Sequence, residues 1–235
     1  MNPAAGYDSE AVARYFDGLG FGEFERHDTS PVQRIKHALH VACLHDHVTP
    51  GGRVLDLGAG PGRFTEVLAG LGCRVTVVDL SAEQVRLNEE RAKERGYADS
   101  IDRWLQADMC DLGDLEPDSY DAIVAFGGPF SYVLDQRDRA MRECLGRLRP
   151  AGRILMSVMS KWGTTHAFLK GVLDLPRDEA DAAVPEISRP RPRRAASKPD
   201  ISATCSHRPN CVTSSRVMEC GPSTCRPQTP CPHTR

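Results

Sequence analysis

The sequence lacks the features that would insert it into a membrane. It contains no apolar run close to the roughly 20 residues that a helix needs to cross a bilayer. Its first residues lack the basic and then apolar layout of a signal peptide. These absences predict a cytoplasmic protein with no membrane span, and the length of 235 residues predicts one main domain.

A strong charge of one sign is also absent, because the formal net charge at pH 7 is −2. This near balance hides an asymmetry: residues 189–235 carry nine Lys and Arg against two acids, which leaves the rest of the chain at −9. An acidic body does not offer the basic groove that nucleic-acid binding needs. We therefore expect no nucleic-acid partner, and the sequence does not indicate an oligomeric state.

The most informative segment is residues 53–64, which read Arg-Val-Leu-Asp-Leu-Gly-Ala-Gly-Pro-Gly-Arg-Phe. The apolar start is typical of a buried parallel strand, and apolar residues recur at helical spacing after it. The glycines between strand and helix let the backbone turn tightly and approach a ligand. Asp79 ends a second apolar strand 21 residues after Gly58. A glycine turn followed at this distance by an acid at a strand end predicts a site that holds a ribose.

This turn leaves more than one ligand class open. A GxGxxG turn would hold the pyrophosphate of a nicotinamide or flavin dinucleotide, but the position three after Gly60 is Arg63 and not Gly or Ala. A nucleotide-dependent oxidoreductase remains an alternative. The run from Asp56 to Gly62, Asp-Leu-Gly-Ala-Gly-Pro-Gly, resembles motif I of the class I S-adenosylmethionine (AdoMet)-dependent methyltransferases.

Later segments resemble the same family in the same order, and the resemblance covers about residues 7–175. They are a helix capped by Ser81, a strand that ends at Asp108 and a strand from Tyr120 into a loop at Gly127. A helix over residues 137–148, a turn over residues 148–152 and a strand from Ile154 follow. The resemblance implies an α/β fold with a Rossmann-like, doubly wound sheet of the class I methyltransferase type. It also implies AdoMet-dependent methyl transfer to a small-molecule acceptor, in a group similar to the ubiquinone/menaquinone C-methyltransferases.

The same resemblance assigns an AdoMet site within a core domain at residues 51–187. Asp79 would accept hydrogen bonds from both ribose hydroxyls. Asp108 would accept from the adenine amino group, and the backbone N–H of Met109 would donate to the adenine ring. The complete predicted set is Asp56, Gly58, Ala59, Gly60, Asp79, Leu80, Asp108, Met109, Phe126 and Gly127.

The acceptor is less well specified than the cofactor. Residues 127–132 stand where many enzymes that methylate amino groups of nucleic acids or proteins have an Asn/Asp-Pro-Pro-Tyr/Phe loop. The absence of that loop argues against such substrates. Tyr132 and His166 are weak candidates for a general base, and the sequence favours a place in the pocket wall for each of them.

An N-terminal helical cap is predicted over residues 1–50. Ser30-Pro31 is a strong helix start, and this helix should run to about His47. His37 with His40 or His45 has a spacing that could hold a metal ion, but no carboxylate or cysteine completes a convincing set, so no metal is predicted. In the family, such helices cover the AdoMet pocket. Candidates to touch the methionine carboxylate or the acceptor are Arg14, Tyr15, Arg26 and Arg34.

The tail at residues 188–235 has a different composition, rich in Pro, Arg, Ser, Thr and Cys. Its five cysteines form no CxxC pair for zinc, and a cytoplasmic setting argues against a disulfide knot. A disordered basic arm fits the composition. We interpret the tail as disordered and translated from an altered reading frame, because suitable codons for residues 210–221, read from their third base, encode an amphipathic helix and the start of a strand.

The altered frame would have a structural consequence. The family sheet has seven strands, with strand 7 antiparallel, and the last two would be missing or scrambled here. The strand from Ile154 would then be an apolar edge, which favours aggregation. A non-catalytic AdoMet-fold protein or an inactive product is therefore a further alternative.

Overall fold

The computed structural model describes residues 6–160, 162–164 and 166, together with the backbone of residues 217–220. The helices in this part are α1 (Ser9–Leu19), α2 (Gly22–Glu25), α3 (Pro31–His47), α4 (Arg63–Gly70), α5 (Ala82–Arg95) and α6 (Arg137–Arg147). The strands are β1 (Arg53–Leu57), β2 (Arg74–Asp79), β3 (Ile101–Gln106), β4 (Tyr120–Ala125), β5 (Leu148–Ser157) and β6 (Val217–Cys220). None of these helices has the length and apolar character needed to cross a bilayer.

The strands form one sheet in the order β3-β2-β1-β4-β5-β6, and the first five are parallel. This arrangement confirms the doubly wound sheet predicted from the sequence. The chain order runs outward in both directions from β1, so the strand order reverses between β1 and β4. In sheets of this kind, ligands bind outside the carboxyl ends of the strands at that point.

Apolar side chains cover both faces of the sheet. Val54 and Leu55 are neighbours on β1 and point to opposite faces. Val54 packs in a cluster with Leu44 of α3 and Leu68 of α4, whereas Leu55 packs with Cys144 of α6. Because both faces are buried, the central strands have continuous apolar sequences instead of an alternating pattern.

Helix starts follow the capping residues of the sequence. Ser30 accepts a hydrogen bond from the backbone N–H of Gln33 with Pro31 in the first turn, which confirms the predicted start of α3. Helix α1 begins at Ser9, because the Asp8 side chain caps it by accepting from the backbone N–H of Ala11 at 2.9 Å.

Two strands differ from their predicted positions. β3 ends at Gln106, so Asp108 follows the strand instead of ending it. β5 begins at Leu148, where the sequence indicated a turn. Leu148 pairs with Tyr120, and the ladder then resumes with Arg153 opposite Ala122. The extra residues between these pairs accommodate the expected turn as an irregularity within the strand.

The tail was expected to stay outside the sheet, and one short part of it does not. The backbone of β6 pairs antiparallel with β5, with Glu219 opposite Leu155 and Val217 opposite Ser157. The prediction that β5 is an unpaired apolar edge is therefore wrong at Ile154–Ser157. The physical reason is that the unpaired backbone N–H and C=O groups of an edge strand pair readily with another strand, which here belongs to the same chain. The remaining predictions for residues 188–235, including disorder and the altered frame, lie outside the described residues.

A buried polar network ties the glycine turn to the layers below it. The Asn88 amide of α5 donates to the Gly60 carbonyl and to the Thr65 hydroxyl, at 3.0 Å each, and its oxygen accepts from the Trp104 indole N–H at 3.2 Å. Thr65 in turn donates to Asp56 at 2.6 Å. Asn88 and Thr65 are fully buried, so these bonds join β1, α4, α5 and β3 away from water.

We expect Asn88→Ala to lower the free energy of unfolding substantially. The substitution removes the Asn88 partner of the Gly60 carbonyl and of the Trp104 indole N–H, as well as the donor to the Thr65 hydroxyl. Each buried polar group left unsatisfied costs about 1–3 kcal/mol. Urea unfolding followed by circular dichroism measures the change. Gln106→Ala is the matched control, because Gln106 is exposed and donates only to the Leu80 carbonyl. Equal stability of the two variants would contradict a structural role for the network.

Candidate functional site

A cleft opens at the carboxyl ends of β1, β2 and β4, beneath the N-terminal helices. Its empty volume is about 650 Å³, and it is open to solvent on one side. The lining is mostly apolar and includes residues of the cap, of the strand ends and of the loop after β4. It consists of Tyr7, Val12, Phe16, Glu23, Arg26, Leu57, Gly58, Gly60, Val78, Asp79, Leu80, Gln84, Ala107, Met109, Phe126, Gly127, Pro129, Tyr132 and Val133.

The glycine turn after β1 forms the floor of this cleft. Gly58 has φ +68°, and a Cβ on it would lie 2.7 Å from the Cβ of Pro129, so a side chain fits neither the conformation nor the space. Gly60 has φ +54°, and a Cβ there would lie 3.7 Å from Glu23 and 3.8 Å from Gln84. The turn therefore leaves room for a ligand to approach the backbone at Gly60.

Asp79 lies where β2 ends and holds the turn in place. Its two carboxylate oxygens accept from the backbone N–H groups of Gly60 at 2.8 Å and Ser81 at 2.9 Å. Asp79 is buried, and burial raises the pKa of its carboxyl, although the backbone N–H donors oppose that shift. An ionised carboxylate has about four acceptor positions, so two remain for a ligand's hydroxyl groups.

Gln84 provides an unpaired polar atom at the same place. Its amide nitrogen donates to the backbone carbonyls of Phe16 at 2.9 Å and Gly20 at 3.0 Å. Its Oε1 atom is buried, and in the described part of the chain it has no hydrogen-bond partner. Because Gln84 also lines the cleft, this oxygen is an acceptor available to a polar ligand group.

The opposite end of the cleft contains Tyr7, Met109 and the nearby Asp108. Met109 lines the cleft, whereas Asp108 is half-buried beside it. The Asp108 carboxylate accepts from the backbone N–H of Cys110 at 2.8 Å and from the Tyr7 hydroxyl. Burial and then the Asp108 charge raise the pKa of Tyr7, so the phenol stays protonated and donates.

The structure brings together most, but not all, of the residues predicted from the sequence. Seven of the predicted cofactor residues line the cleft: Gly58, Gly60, Asp79, Leu80, Met109, Phe126 and Gly127. Ala59 and Asp108 are adjacent to lining residues. Asp56 is buried beneath the turn, where it accepts from Thr65.

The two base candidates lie in different environments. Tyr132 lines the cleft, and burial raises the pKa of its phenol, which disfavours the phenolate that a base requires. His166 is exposed and is not among the lining residues. Neither position therefore provides an evident general base.

Several lining residues were missed because their sequence patterns do not distinguish them. Tyr7, Phe16, Glu23 and Gln84 look like ordinary positions in or before amphipathic helices, and only the docking of the cap brings them to the cleft. Of the four residues named as cap candidates, Arg26 alone lines the cleft.

A cluster of histidine and phenylalanine rings supports the cleft from behind. His27 and His40 are buried, and His40 stacks on Phe126 with ring centroids 4.5 Å apart. His37 completes the cluster, and in the described chain the Nδ1 atoms of all three histidines lack partners. Among the described residues, no group of three His, Cys, Asp or Glu side chains is arranged to hold a metal ion.

The fold and cleft first define a class, a doubly wound α/β protein with a site suited to a ribose-containing ligand. Residues 54–152 match the family described as "Methyltransferase domain". The matched segment contains the glycine turn, Asp79 and Asp108, so the similarity to this family includes the sheet side of the cleft.

Named relatives agree with this family. The chain is 32% identical over 151 residues to ubiquinone biosynthesis O-methyltransferase from Xanthomonas campestris pv. campestris strain B100. It is 31% identical over 151 residues to the protein of the same name from Xanthomonas oryzae pv. oryzae strain PXO99A. Each alignment covers 62% of this chain and 60% of the relative. The chain therefore matches about three fifths of the length of these relatives.

Solved structures share the fold. The [4+2]-cyclase SpnF superimposes with a TM-score of 0.57 at 21% identity, over 66% of this chain and 62% of the other. A geranyl diphosphate methyltransferase in complex with GPP and sinefungin gives a TM-score of 0.52 at 22% identity, over 69% of this chain and 73% of the other. One of these proteins is named a cyclase and the other a methyltransferase, so the fold by itself does not determine the reaction.

Asp56 should make stability depend on pH in a defined direction. Burial raises the pKa of Asp56 from 3.8 to about 7, so the folded state binds a proton that the unfolded state has released between these values. The stabilisation is present below about pH 4 and is lost as the pH rises through about 7. Asp56→Asn cannot titrate. The unfolding free energy of the variant minus that of wild type should be larger at pH 8.5 than at pH 5, by at least about 1 kcal/mol. Parallel urea titrations at the two pH values would contradict the assignment if the difference stayed constant.

His40 should act in the opposite direction. Burial lowers the pKa of His40 from 6.5 to about 4, so its contribution to stability is present above about pH 6.5 and is lost as the pH falls towards 4. The unfolding free energy of wild type should fall as the pH is lowered from 7.5 to 5. In His40→Phe this fall should be smaller by about 1–2 kcal/mol. His45→Phe on the exposed face of α3 is the control and should behave like wild type. An unchanged acid slope in His40→Phe would show that His40 is not the titrating group.

Proposed function

We propose that this protein transfers a methyl group from AdoMet to a small-molecule acceptor. The observation that carries the proposal is the position of Asp79, at a strand end, bonded to the glycine turn and open to the cleft. A buried carboxylate with free acceptor positions beside a glycine turn matches the ribose of a nucleoside. The methyltransferase domain at residues 54–152 supports AdoMet as that nucleoside.

The residues present fit AdoMet at each part of the molecule. Asp79 accepts from the ribose hydroxyls, and Leu80 and Met109 offer apolar contact to the adenine beside Asp108. The unpaired Gln84 oxygen, close to Gly60, provides an acceptor for the donor groups of the ligand's polar end. A nucleotide-dependent oxidoreductase gains no support from these contacts, because Arg63 occupies the third position of the dinucleotide fingerprint.

The chain's own contribution to catalysis is mainly positioning. AdoMet bound beside Asp79, Leu80 and Met109 would supply a methyl group activated by its sulfonium, and the electron pair of the carbon–sulfur bond would stay on sulfur as the acceptor takes the methyl group. Phe16 and Phe126 give the cleft an apolar wall. Holding two reactants in line accounts for about 7–11 kcal/mol of barrier reduction in favourable cases. Burial raises the pKa of the Tyr132 phenol, which disfavours Tyr132 as the base that takes the acceptor proton.

An oxygen acceptor is the finer form of this proposal. The relatives are named O-methyltransferases of ubiquinone biosynthesis, whereas the sequence resemblance was to C-methyltransferases of quinones. A hydroxyl on a ring suits a cleft whose walls include Phe16, Tyr132 and Val133. A non-catalytic AdoMet-fold protein is the second candidate, favoured by the lack of an evident base, and it differs by binding without turnover.

Cofactor binding is tested by calorimetry with S-adenosylhomocysteine. Asp79→Ala should weaken binding about 100-fold or more, because two hydrogen bonds to a charged acceptor are worth about 1.5–3 kcal/mol each. Asp121→Ala is the matched control, since Asp121 also accepts from a backbone N–H, that of Arg53, but does not line the cleft, and it should bind nearly as wild type does. Equal affinity of wild type and Asp79→Ala would contradict the site, and binding of NAD instead would favour the oxidoreductase.

Turnover is tested separately. Purified protein incubated with methyl-labelled AdoMet and a cell extract should label a small-molecule fraction, and the labelled product identifies the acceptor atom. S-adenosylhomocysteine binding with no labelled product from any fraction would support the non-catalytic alternative.

A further inference from the structure

We propose that the acceptor is an aromatic carboxylate and that Arg26 is the residue that binds its carboxylate group. This inference rests on the proposed function, since it assigns a substrate class to the same cleft.

Arg26 presents an unused pair of donors. It follows α2, and its Nε donates to Glu23 Oε1 at 2.5 Å. Its terminal nitrogens, Nη1 and Nη2, have no hydrogen-bond partner among the residues that the structure describes. A guanidinium carries its donors in a planar fork that matches the two oxygens of a carboxylate. Glu23 therefore holds one edge of Arg26 and leaves the other for a ligand.

The sheet order places Arg26 at the end of the cleft away from the ribose. Nη2 lies 2.8 Å from the position of a Cβ on Gly127, which follows β4. Asp79 ends β2, and β1 lies between these two strands. Adjacent strands are about 4.8 Å apart, so Gly127 and Asp79 are separated by about 10 Å across the sheet. A nucleoside anchored at Asp79 extends over β1, and the acceptor meets it near Arg26.

The surroundings of Arg26 favour a flat ring with one anionic group. Phe16 and Tyr132 form an aromatic wall, with their rings edge to face and centroids 5.3 Å apart. Arg26 is the one basic side chain among the described residues that line the cleft. Glu23 is only 14% exposed, so it is committed to Arg26 rather than to solvent. One cationic fork beside aromatic walls is complementary to a carboxylate on an aromatic ring.

The inference is tested with three fragments on protein saturated with S-adenosylhomocysteine. Benzoate carries the planar anion, phenyl phosphate carries a tetrahedral one, and benzamide is the neutral isostere of benzoate. Ligand-observed NMR titrations should show benzoate binding more tightly than both others. Arg26→Met should weaken benzoate binding about tenfold or more, the value expected for one lost charged hydrogen bond. Arg14→Met is the matched control, because Arg14 also pairs with a glutamate on the cap but lies outside the cleft.

Two further variants separate binding from folding. Arg26→Lys keeps the charge beside Glu23 but loses the fork, so it should fold as wild type and still lose most of the preference for benzoate over benzamide. Glu23→Gln removes the competing carboxylate and should strengthen benzoate binding. Equal binding of benzoate and benzamide, tighter binding of phenyl phosphate, or unchanged benzoate affinity in Arg26→Met or Arg26→Lys would each overturn the proposal.

The cofactor's own carboxylate is the main competing partner for Arg26. If Arg26 held it, Arg26→Met would weaken S-adenosylhomocysteine but not 5′-methylthioadenosine, which lacks the amino-acid part. That result would overturn the acceptor assignment and leave the proposed methyl transfer intact. Failure of wild-type protein to bind S-adenosylhomocysteine at all would instead refute the proposed function, so the two failures are distinguishable.

Discussion

The hydrogen bond from the Gly60 backbone to Asp79 is the contact on which the rest of the site depends. It joins the turn after β1 to the end of β2, at the place where the strand order of the sheet reverses. The same carboxylate accepts from Ser81, which starts α5. One buried acid therefore fixes the glycine turn, the strand end and the helix start relative to each other. The remaining acceptor capacity of that acid faces the cleft, so structural anchoring and ligand binding share a single group.

Helix α5 extends this constraint to the cap through a row of polar residues on one face. Ser81, Gln84 and Asn88 are spaced three and four residues apart and are fully buried. Ser81 donates to Asp17 and Gln84 donates to the backbone at Phe16 and Gly20, so both bind α1 or its end. Asn88 binds the glycine turn. Because buried polar groups are costly when unpaired, this row fixes the cap in one register over the site. A purely apolar contact would leave the cap freer to slide.

Structural features that depend on a few adjacent residues could be predicted from the sequence. The glycine turn, Asp79 at a strand end and the Ser30-Pro31 helix start belong to this class, because a few adjacent residues decide each of them. Gln84 and Tyr7 do not, since their roles arise from contacts between elements far apart in the chain. The contact of Asp56 with Thr65 is of the same kind, since it joins β1 to α4 and no local pattern in the sequence reveals it. The pairing of β6 with β5 was missed because composition does not reveal which short segment an exposed edge attracts.

The contrast between local patterns and contacts between distant elements also explains why the cofactor is easier to infer than the acceptor. The groups suited to the nucleoside lie on β1, β2 and the loop after β3, where parallel pairing and burial leave little freedom. Those suited to the acceptor lie on the cap, where Glu23 and Arg26 occupy a short helix and the residue that follows it. A substitution in such a helix disturbs few core contacts, so specificity changes there at small cost to folding. Acceptor chemistry therefore depends on how α5 holds the cap, and nucleoside binding depends on the sheet itself.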